Sequence, residues 1–110
     1  MRRGDVVIVA DRGGVDYASK PSPAVVVQSD HYDQTLSVVV FPVTTIAHDA
    51  ALLRLPLAPS ARLALRVPSW IMVDKLTSVR RERIGQTIGR ISDDESVALN
   101  RSLAVFLGFG

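Results

Sequence analysis

Short apolar runs, several of them rich in valine, follow one another along the first ninety residues and are separated by polar or Gly/Pro-containing stretches. Runs of this length and composition are typical of β-strands, and the alternation of Leu and Arg in two of them indicates half-exposed strands. Asp11–Pro23 holds two glycines and two prolines and predicts a loop. Pro42 is expected near a strand end or edge, because its nitrogen cannot donate to a ladder. The predicted strands are Val6–Val9, Val25–Val27, Leu36–Val43, Leu52–Leu57, Leu63–Val67, Trp70–Val73 and Ile84–Ile91, with one helical turn at Arg80–Arg83.

The spacing of the apolar residues changes at the end of the chain and predicts a helix. Ser92, followed three residues later by Glu95, is the pattern of a capping box, and the acidic first turn suits the helix dipole. Gly108 predicts the end of the helix. The apolar face is predicted to consist of Leu99, Leu103, Phe106 and Leu107.

Several strands followed by one amphipathic helix indicate a mainly β fold, a small barrel or curved sheet with the helix packed against it. The 110 residues are expected to form one domain, 1–110, with 47% hydrophobic and 22% charged residues as in soluble proteins. There is no cysteine for disulfides or thiolate metal sites, and no apolar run of membrane-spanning or signal-peptide length. We therefore expect a cytoplasmic domain without cofactor or membrane association.

The charge of the chain is distributed unevenly, although the net value is only +2. Residues 54–90 carry eight basic and two acidic side chains, whereas the rest of the chain carries five basic and nine acidic ones. Such a division predicts a polarised surface that could attract a polyanion. The alternative is that these charged side chains lie on the rims of strands, are solvated there and bind no partner.

Most familiar catalytic motifs are missing from the sequence. His31 and His48 lie in polar, loop-like contexts without metal-ligand spacing, and neither a G-x-S-x-G elbow nor a Walker-type glycine loop occurs. What remains is an anion site at one end of the barrel, with Lys20 before the second strand and Thr44 at the end of the third. The alternative is that Thr44 caps a turn and Lys20 is solvated.

Motifs spread over the whole chain resemble those of the MazF/PemK family of toxins. They occur in the family's order, which is more specific than any single motif. The matching segments are Arg3–Val7, Lys20–Asp30 (KPSPAVVVQSD), Pro42–Thr45, Pro68–Lys75 (PSWIMVDK), Ile84–Ile91 (IGQTIGRI) and the end of the helix at Leu107–Phe109.

The resemblance implies a small SH3-like β-barrel of the MazF/CcdB type with a C-terminal α-helix, acting as a homodimer. It implies the toxin of a type II toxin–antitoxin system, a sequence-specific, metal-independent endoribonuclease that cleaves single-stranded mRNA without a cofactor. The expected partners are single-stranded RNA and the cognate antitoxin, which binds through an acidic tail. Operator DNA is expected to be bound only through the antitoxin complex.

The resemblance also implies two catalytic positions, one of which departs from the family. The family carries a catalytic Arg where this chain has Ser22, and its second catalytic residue is matched by Thr44. A serine hydroxyl carries no positive charge, and losing such a contact costs about 10²–10³-fold in rate. The chain is then a disarmed form, or a member in which Lys20 supplies the cation, or a binding protein without nuclease activity.

Binding residues for the RNA are less specified. Arg12 and Tyr17 precede the Lys20 segment and, with Lys20, are candidates to clamp or stack a nucleotide. Asp74 stands where some members carry a functional Asp, and its alternative role is to pair with Lys75 or Arg80. Tyr32 is a further stacking candidate, whereas Trp70 is expected in the core or dimer interface. A different functional class, a non-enzymatic toxin that binds a protein such as DNA gyrase through its C-terminal residues, stays open.

Overall fold

The computed structural model describes residues 1–10, 21–46, 53–60 and 64–110. This part of the chain forms seven antiparallel strands and one C-terminal helix, so the predicted fold class is confirmed. Short 3-10 turns, among them Asp30–Tyr32, Val73–Lys75 and Arg81–Arg83, connect some of these elements. The strands are β1 Asp5–Val9, β2 Ser22–Val26, β3 Ser37–Thr44, β4 Arg54–Leu57, β5 Ser69–Met72, β6 Thr77–Arg80 and β7 Ile84–Arg90, and the helix is α1 Asp93–Leu107.

Strand β3 is the centre of the sheet, whose order is β4-β5-β3-β2-β1-β7 with β6 also paired to β3. One edge of β3 pairs with β2 through Val40–Pro42. The other edge pairs first with β6 through Ser37–Val40 and then with β5 through Val43–Thr44. Pro42 therefore lies near the strand end, as predicted, at the point where β3 changes partners, and its missing N–H breaks neither of those two outer ladders.

Both faces of the sheet are covered by apolar clusters. Neighbouring residues of one strand alternate between them: Val6 belongs to the first cluster and Val7 to the second, although both are fully buried. The first cluster includes Phe41, Ile71 and Leu99 from β3, β5 and α1. Burial on both faces explains why the strands are continuous apolar runs and do not alternate with polar residues.

Helix α1 begins and ends where the sequence predicts. Ser92 Oγ accepts from the Glu95 N–H at 3.1 Å, and the Ser92 N–H donates to Glu95 Oε1 at 2.7 Å, which completes the capping box. Gly108 closes the helix with φ of 87°, a left-handed conformation that glycine adopts without strain. Leu99 is 2% exposed, whereas Phe106 and Leu107 are 43% and 51% exposed, so only the first part of the predicted face packs on the sheet.

Two sequence predictions about the strands are wrong, and one strand was missed. The predicted strand Leu63–Val67 is absent over residues 64–67, where Ala64 has φ of 48° and Pro68 follows, which a regular strand does not tolerate. The predicted loop to Pro23 ends earlier, since β2 begins at Ser22. Strand β6 was not predicted, because its four residues TSVR carry too little apolar pattern to stand out.

Truncating Leu99 tests the docking of α1. Leu99→Ala is expected to lower the free energy of unfolding by about 2–5 kcal/mol, because a fully buried side chain is removed from a packed cluster. Leu107→Ala is the matched control and should cost less than about 1 kcal/mol, since that side chain is half exposed. Urea unfolding measures both, and equal losses would show that α1 does not pack as described.

Candidate functional site

The two positions that the sequence singles out for catalysis lie on adjacent strands. The β2–β3 ladder pairs Val25 with Phe41 and Ala24 with Pro42, where it ends. The same register continued by two residues places Ser22 opposite Thr44, on the same side of the sheet. Two hydroxyl groups from distant parts of the sequence are thereby brought to one end of the sheet.

The hydroxyl of Thr44 takes part in a turn at the end of β3. Its Oγ1 accepts from the Ile46 N–H at 3.1 Å, so the turn-capping alternative describes a real contact. A hydroxyl that accepts from an amide keeps its own hydrogen for a further acceptor, such as a phosphate oxygen. Trp70 on β5 pairs directly with Thr44 and is half-buried, which places an aromatic ring on the neighbouring strand.

A cleft of about 190 Å³ opens beside Ser22. Its wall is mostly apolar and comes from β1, β2, β3 and β6, including Val9, Pro42 and Val79. Three residues able to bind an anion also line it, namely Ser22, Thr77 and Arg83. An apolar cleft with a few polar groups is the usual form of a small binding site.

Sequence reasoning did not single out Thr77 or Arg83. The 3-10 turn Arg81–Arg83 is confirmed, but the run of basic residues there does not reveal which arginine faces the cleft. Arg81 is occupied elsewhere, because its Nε donates to the Thr35 carbonyl at 2.7 Å. Arg80 pairs with Glu82 at 3.2 Å, with both side chains largely exposed.

Asp74 is engaged in an ion pair with Arg54, and the predicted partners Lys75 and Arg80 are therefore wrong. Arg54 Nη1 contacts Asp74 Oδ1, and the two side chains are 9% and 25% exposed. Arg54 lies on β4, 20 residues away along the chain, so local sequence spacing gives no sign of the pair. The structure thus gives Asp74 a role in joining β4 to the 3-10 turn after β5.

The remaining sequence candidates divide into two groups. Arg12, Tyr17 and Lys20 lie outside the described residues, as does His48. Tyr32 is 62% exposed but follows β2, whereas Ser22 begins that strand, so these two residues lie at opposite ends of it. Within the described ranges, no group of three or more His, Cys, Asp or Glu side chains could hold a metal ion, and no helix is long and apolar enough to cross a membrane.

The basic segment 54–90 is partly neutralised inside the molecule. Carboxylates pair with Arg54 and Arg80, as described above, and Arg90 Nη1 contacts Asp5 Oδ1 at 2.7 Å. Three further basic residues of the segment form neither an ion pair nor a side-chain hydrogen bond within the described part of the chain. These are Arg66, Lys75 and Arg83.

Comparison with known proteins links this geometry to one family. Residues 2–107 match the family model described as PemK-like, MazF-like toxin of type II toxin–antitoxin system. A probable endoribonuclease MazF from Mycolicibacterium smegmatis is 42% identical over 108 residues, which cover 98% of this chain and 97% of that protein.

Solved structures share the fold at low sequence identity. A MazE–MazF structure from Deinococcus radiodurans superposes with a TM-score of 0.80 at 20% identity and covers 100% of this chain and 97% of that one. An endoribonuclease in complex with its cognate antitoxin from a mycobacterial species gives 0.79 at 19% identity, with the same coverage. The Mycobacterium tuberculosis toxin MazF-mt6 gives 0.77 at 18% identity and covers 96% and 98%.

Breaking the Arg54–Asp74 pair tests its structural role. Asp74→Ala is expected to lower the free energy of unfolding by about 2–3 kcal/mol, because it leaves the buried Arg54 guanidinium without its partner. The double variant Arg54→Met with Asp74→Ala should recover part of that loss. Glu82→Ala, which breaks an exposed pair, should cost under about 1 kcal/mol.

Denaturant unfolding of the parent chain and the three variants supplies the measurement. If Asp74→Ala unfolds at the same denaturant concentration as the parent chain, the pair has no structural role and Asp74 is available for another one.

Proposed function

The chain belongs to the PemK-like, MazF-like toxin family of type II toxin–antitoxin systems, and from this premise we propose that it is an endoribonuclease that cleaves single-stranded mRNA at specific sequences. The observation that carries the proposal is the β2–β3 register, which, continued by two residues beyond the Ala24–Pro42 pair, brings the positions of Ser22 and Thr44 together at one end of the sheet. These are the two positions at which the family's motif places catalytic side chains. The cleft beside Ser22 offers room for the substrate.

In the proposed reaction the protein contributes no covalent nucleophile. The RNA 2′-oxygen forms a bond to the adjacent phosphorus while the bond from phosphorus to the 5′-oxygen breaks. One proton leaves the 2′-hydroxyl and one is taken up by the departing 5′-oxygen, so the products are a 2′,3′-cyclic phosphate and a 5′-hydroxyl. The role left to the protein is proton transfer and stabilisation of the charge that develops on the phosphate oxygens.

Thr44 suits the second of these tasks. Its Oγ1 is fixed by the Ile46 N–H, so the hydroxyl hydrogen can point to a phosphate oxygen without first being ordered. Ser22 donates a neutral hydrogen bond where the family supplies a guanidinium, and it cannot neutralise the developing charge. We therefore infer a weakened nuclease.

The substrate strand is proposed to extend from the cleft toward residues 11–20. Arg12 and Lys20 would contact its phosphates and Tyr17 would stack on a base. Asp74 is assigned a supporting role through Arg54, because its carboxylate is already paired.

The partners proposed for the chain follow the family. The cognate antitoxin would place an acidic tail against Arg66, Lys75 and Arg83, and operator DNA would be bound only through that complex. A second copy of the chain would cover the exposed apolar end of α1, where Phe106 and Leu107 lie, to form a homodimer. The expected location is the cytoplasm.

Restoring the guanidinium is expected to strengthen cleavage. Ser22→Arg should raise the cleavage rate by about 10²-fold or more, and adding Thr44→Ala should remove most of that gain. Both are measured on one long RNA in the presence of EDTA, with mass spectrometry of the fragment ends. Cyclic phosphate ends from the Ser22→Arg form support the proposal. If neither the chain itself nor its Ser22→Arg form cuts any RNA, the proposal is contradicted.

Removing the C-terminal residues separates the nuclease from a toxin that acts on a protein target. Phe109 is 68% exposed, follows the end of α1 and does not line the cleft, so deletion of Phe109 and Gly110 should leave RNA cleavage and growth inhibition unchanged. Growth assays in cells that carry the Ser22→Arg form provide the readout. If the deletion abolishes toxicity while RNA cleavage persists, a protein target such as gyrase becomes the better explanation.

A further inference from the structure

Arg83 stands out because it lines the same cleft as Ser22 although 60 residues separate them in the sequence. The strand order explains this proximity. Val9 of β1 pairs with Ser22 on one side and with Ile84, the first residue of β7, on the other. Ser22 and Ile84 are therefore two strand spacings apart, about 10 Å, and Arg83 directly precedes Ile84.

The backbone of Arg83 is held in place at this end of the sheet. Its carbonyl accepts from the Ala10 N–H at 2.8 Å, which ties the 3-10 turn Arg81–Arg83 to the end of β1. Arg83 itself is half-buried. The backbone position from which the side chain extends is therefore fixed next to the cleft.

The charge of Arg83 is also uncompensated. Neighbouring Arg80 pairs with Glu82 and Arg81 bonds to Thr35, whereas no carboxylate in the described part of the chain pairs with Arg83. A half-buried guanidinium beside an apolar wall interacts more strongly with an anion than an exposed one does, because solvent screens it less. Its planar fork matches two oxygens of one phosphate.

We propose that Arg83 binds the RNA phosphate in the cleft and supplies the positive charge that Ser22 lacks. This inference rests on the proposed nuclease function, since it names the group that holds the substrate in that site. The cleft measures about 190 Å³, several times the ~30 Å³ share of one water molecule in the liquid, so it has room for a phosphate group. Ser22 and Thr77, which line the same cleft, would donate hydroxyl hydrogen bonds to this phosphate.

The test combines loss of Arg83 with return of the arginine at position 22. Four forms are compared: the chain itself, Arg83→Gln, Ser22→Arg and the double variant. Arg80→Gln is the matched control, because it removes an arginine from the same segment that does not line the cleft. Arg83→Lys keeps the charge without the fork, and thermal unfolding of every variant verifies the fold.

Two readouts are taken for each form. The first is the rate of RNA cleavage under single-turnover conditions. The second is the affinity for the same RNA carrying 2′-O-methyl groups, which cannot be cleaved, measured at several salt concentrations. The slope of affinity against salt counts the phosphate contacts, and it needs no catalysis.

We expect Arg83→Gln to lower the cleavage rate about 10-fold or more and to reduce the salt slope by about one phosphate contact. Arg83→Lys should retain part of the cleavage rate and part of the salt slope. Arg80→Gln should retain nearly all of both. In the Ser22→Arg background the loss on removing Arg83 should shrink to less than about 3-fold, because the new guanidinium covers the same phosphate.

Other outcomes overturn the inference. If Arg83→Gln leaves the salt slope unchanged while Lys20→Ala reduces it, the cation at the phosphate is Lys20. Equal losses from Arg83→Gln in both backgrounds would show that Arg83 acts independently of position 22. If no form cleaves RNA, the nuclease proposal fails, but the salt slopes still decide whether Arg83 binds a phosphate.

Discussion

Strand β3 carries the constraint on which the rest of the molecule depends. It pairs with β2 on one edge and with β6 and then β5 on the other, and the change of partner occurs around Pro42. This arrangement fixes which residues of β2 and β3 lie side by side. It also gives the sheet two covered faces, and it places the end of β3, with Thr44, next to the start of β2. The proposed site follows from hydrogen-bond register more than from any local motif.

The distribution of ion pairs explains why a segment with so many arginines can still leave one available for a ligand. Arg54, Arg80 and Arg90 are matched with carboxylates, and Arg81 holds the loop around Thr35. Three of these four, Arg54, Arg81 and Arg90, link parts of the chain that are distant in sequence. Arg83 belongs to the same run but lines the cleft, and no carboxylate among the described residues pairs with it. The structure thus separates arginines that hold the fold from an arginine suited to an anion, a distinction that net charge cannot make.

Local signals predicted most of the fold. The valine-rich runs predicted β1, β2 and β3 to within a few residues. The Ser92–Glu95 capping box and Gly108 predicted both ends of α1. These features could be predicted because they depend on residues that are neighbours in the sequence. The predictions were wrong where distant contacts decide. The run before Pro68 looks like a strand but is not one, and the partner of Asp74 comes from β4. The resemblance to the toxin family located Ser22 and Thr44, whereas the position of Arg83 required the strand order.

The central claim is that the RNA phosphate lies in the cleft lined by Ser22, Thr77 and Arg83. The most direct measurement is a crystal structure of the full chain with a short 2′-O-methyl RNA that it cannot cleave. The account predicts one phosphate in this cleft within hydrogen-bond distance of the Arg83 guanidinium and of the Ser22 or Thr77 hydroxyl. An RNA bound with no phosphate in this cleft, or bound on another face of the sheet, would contradict it.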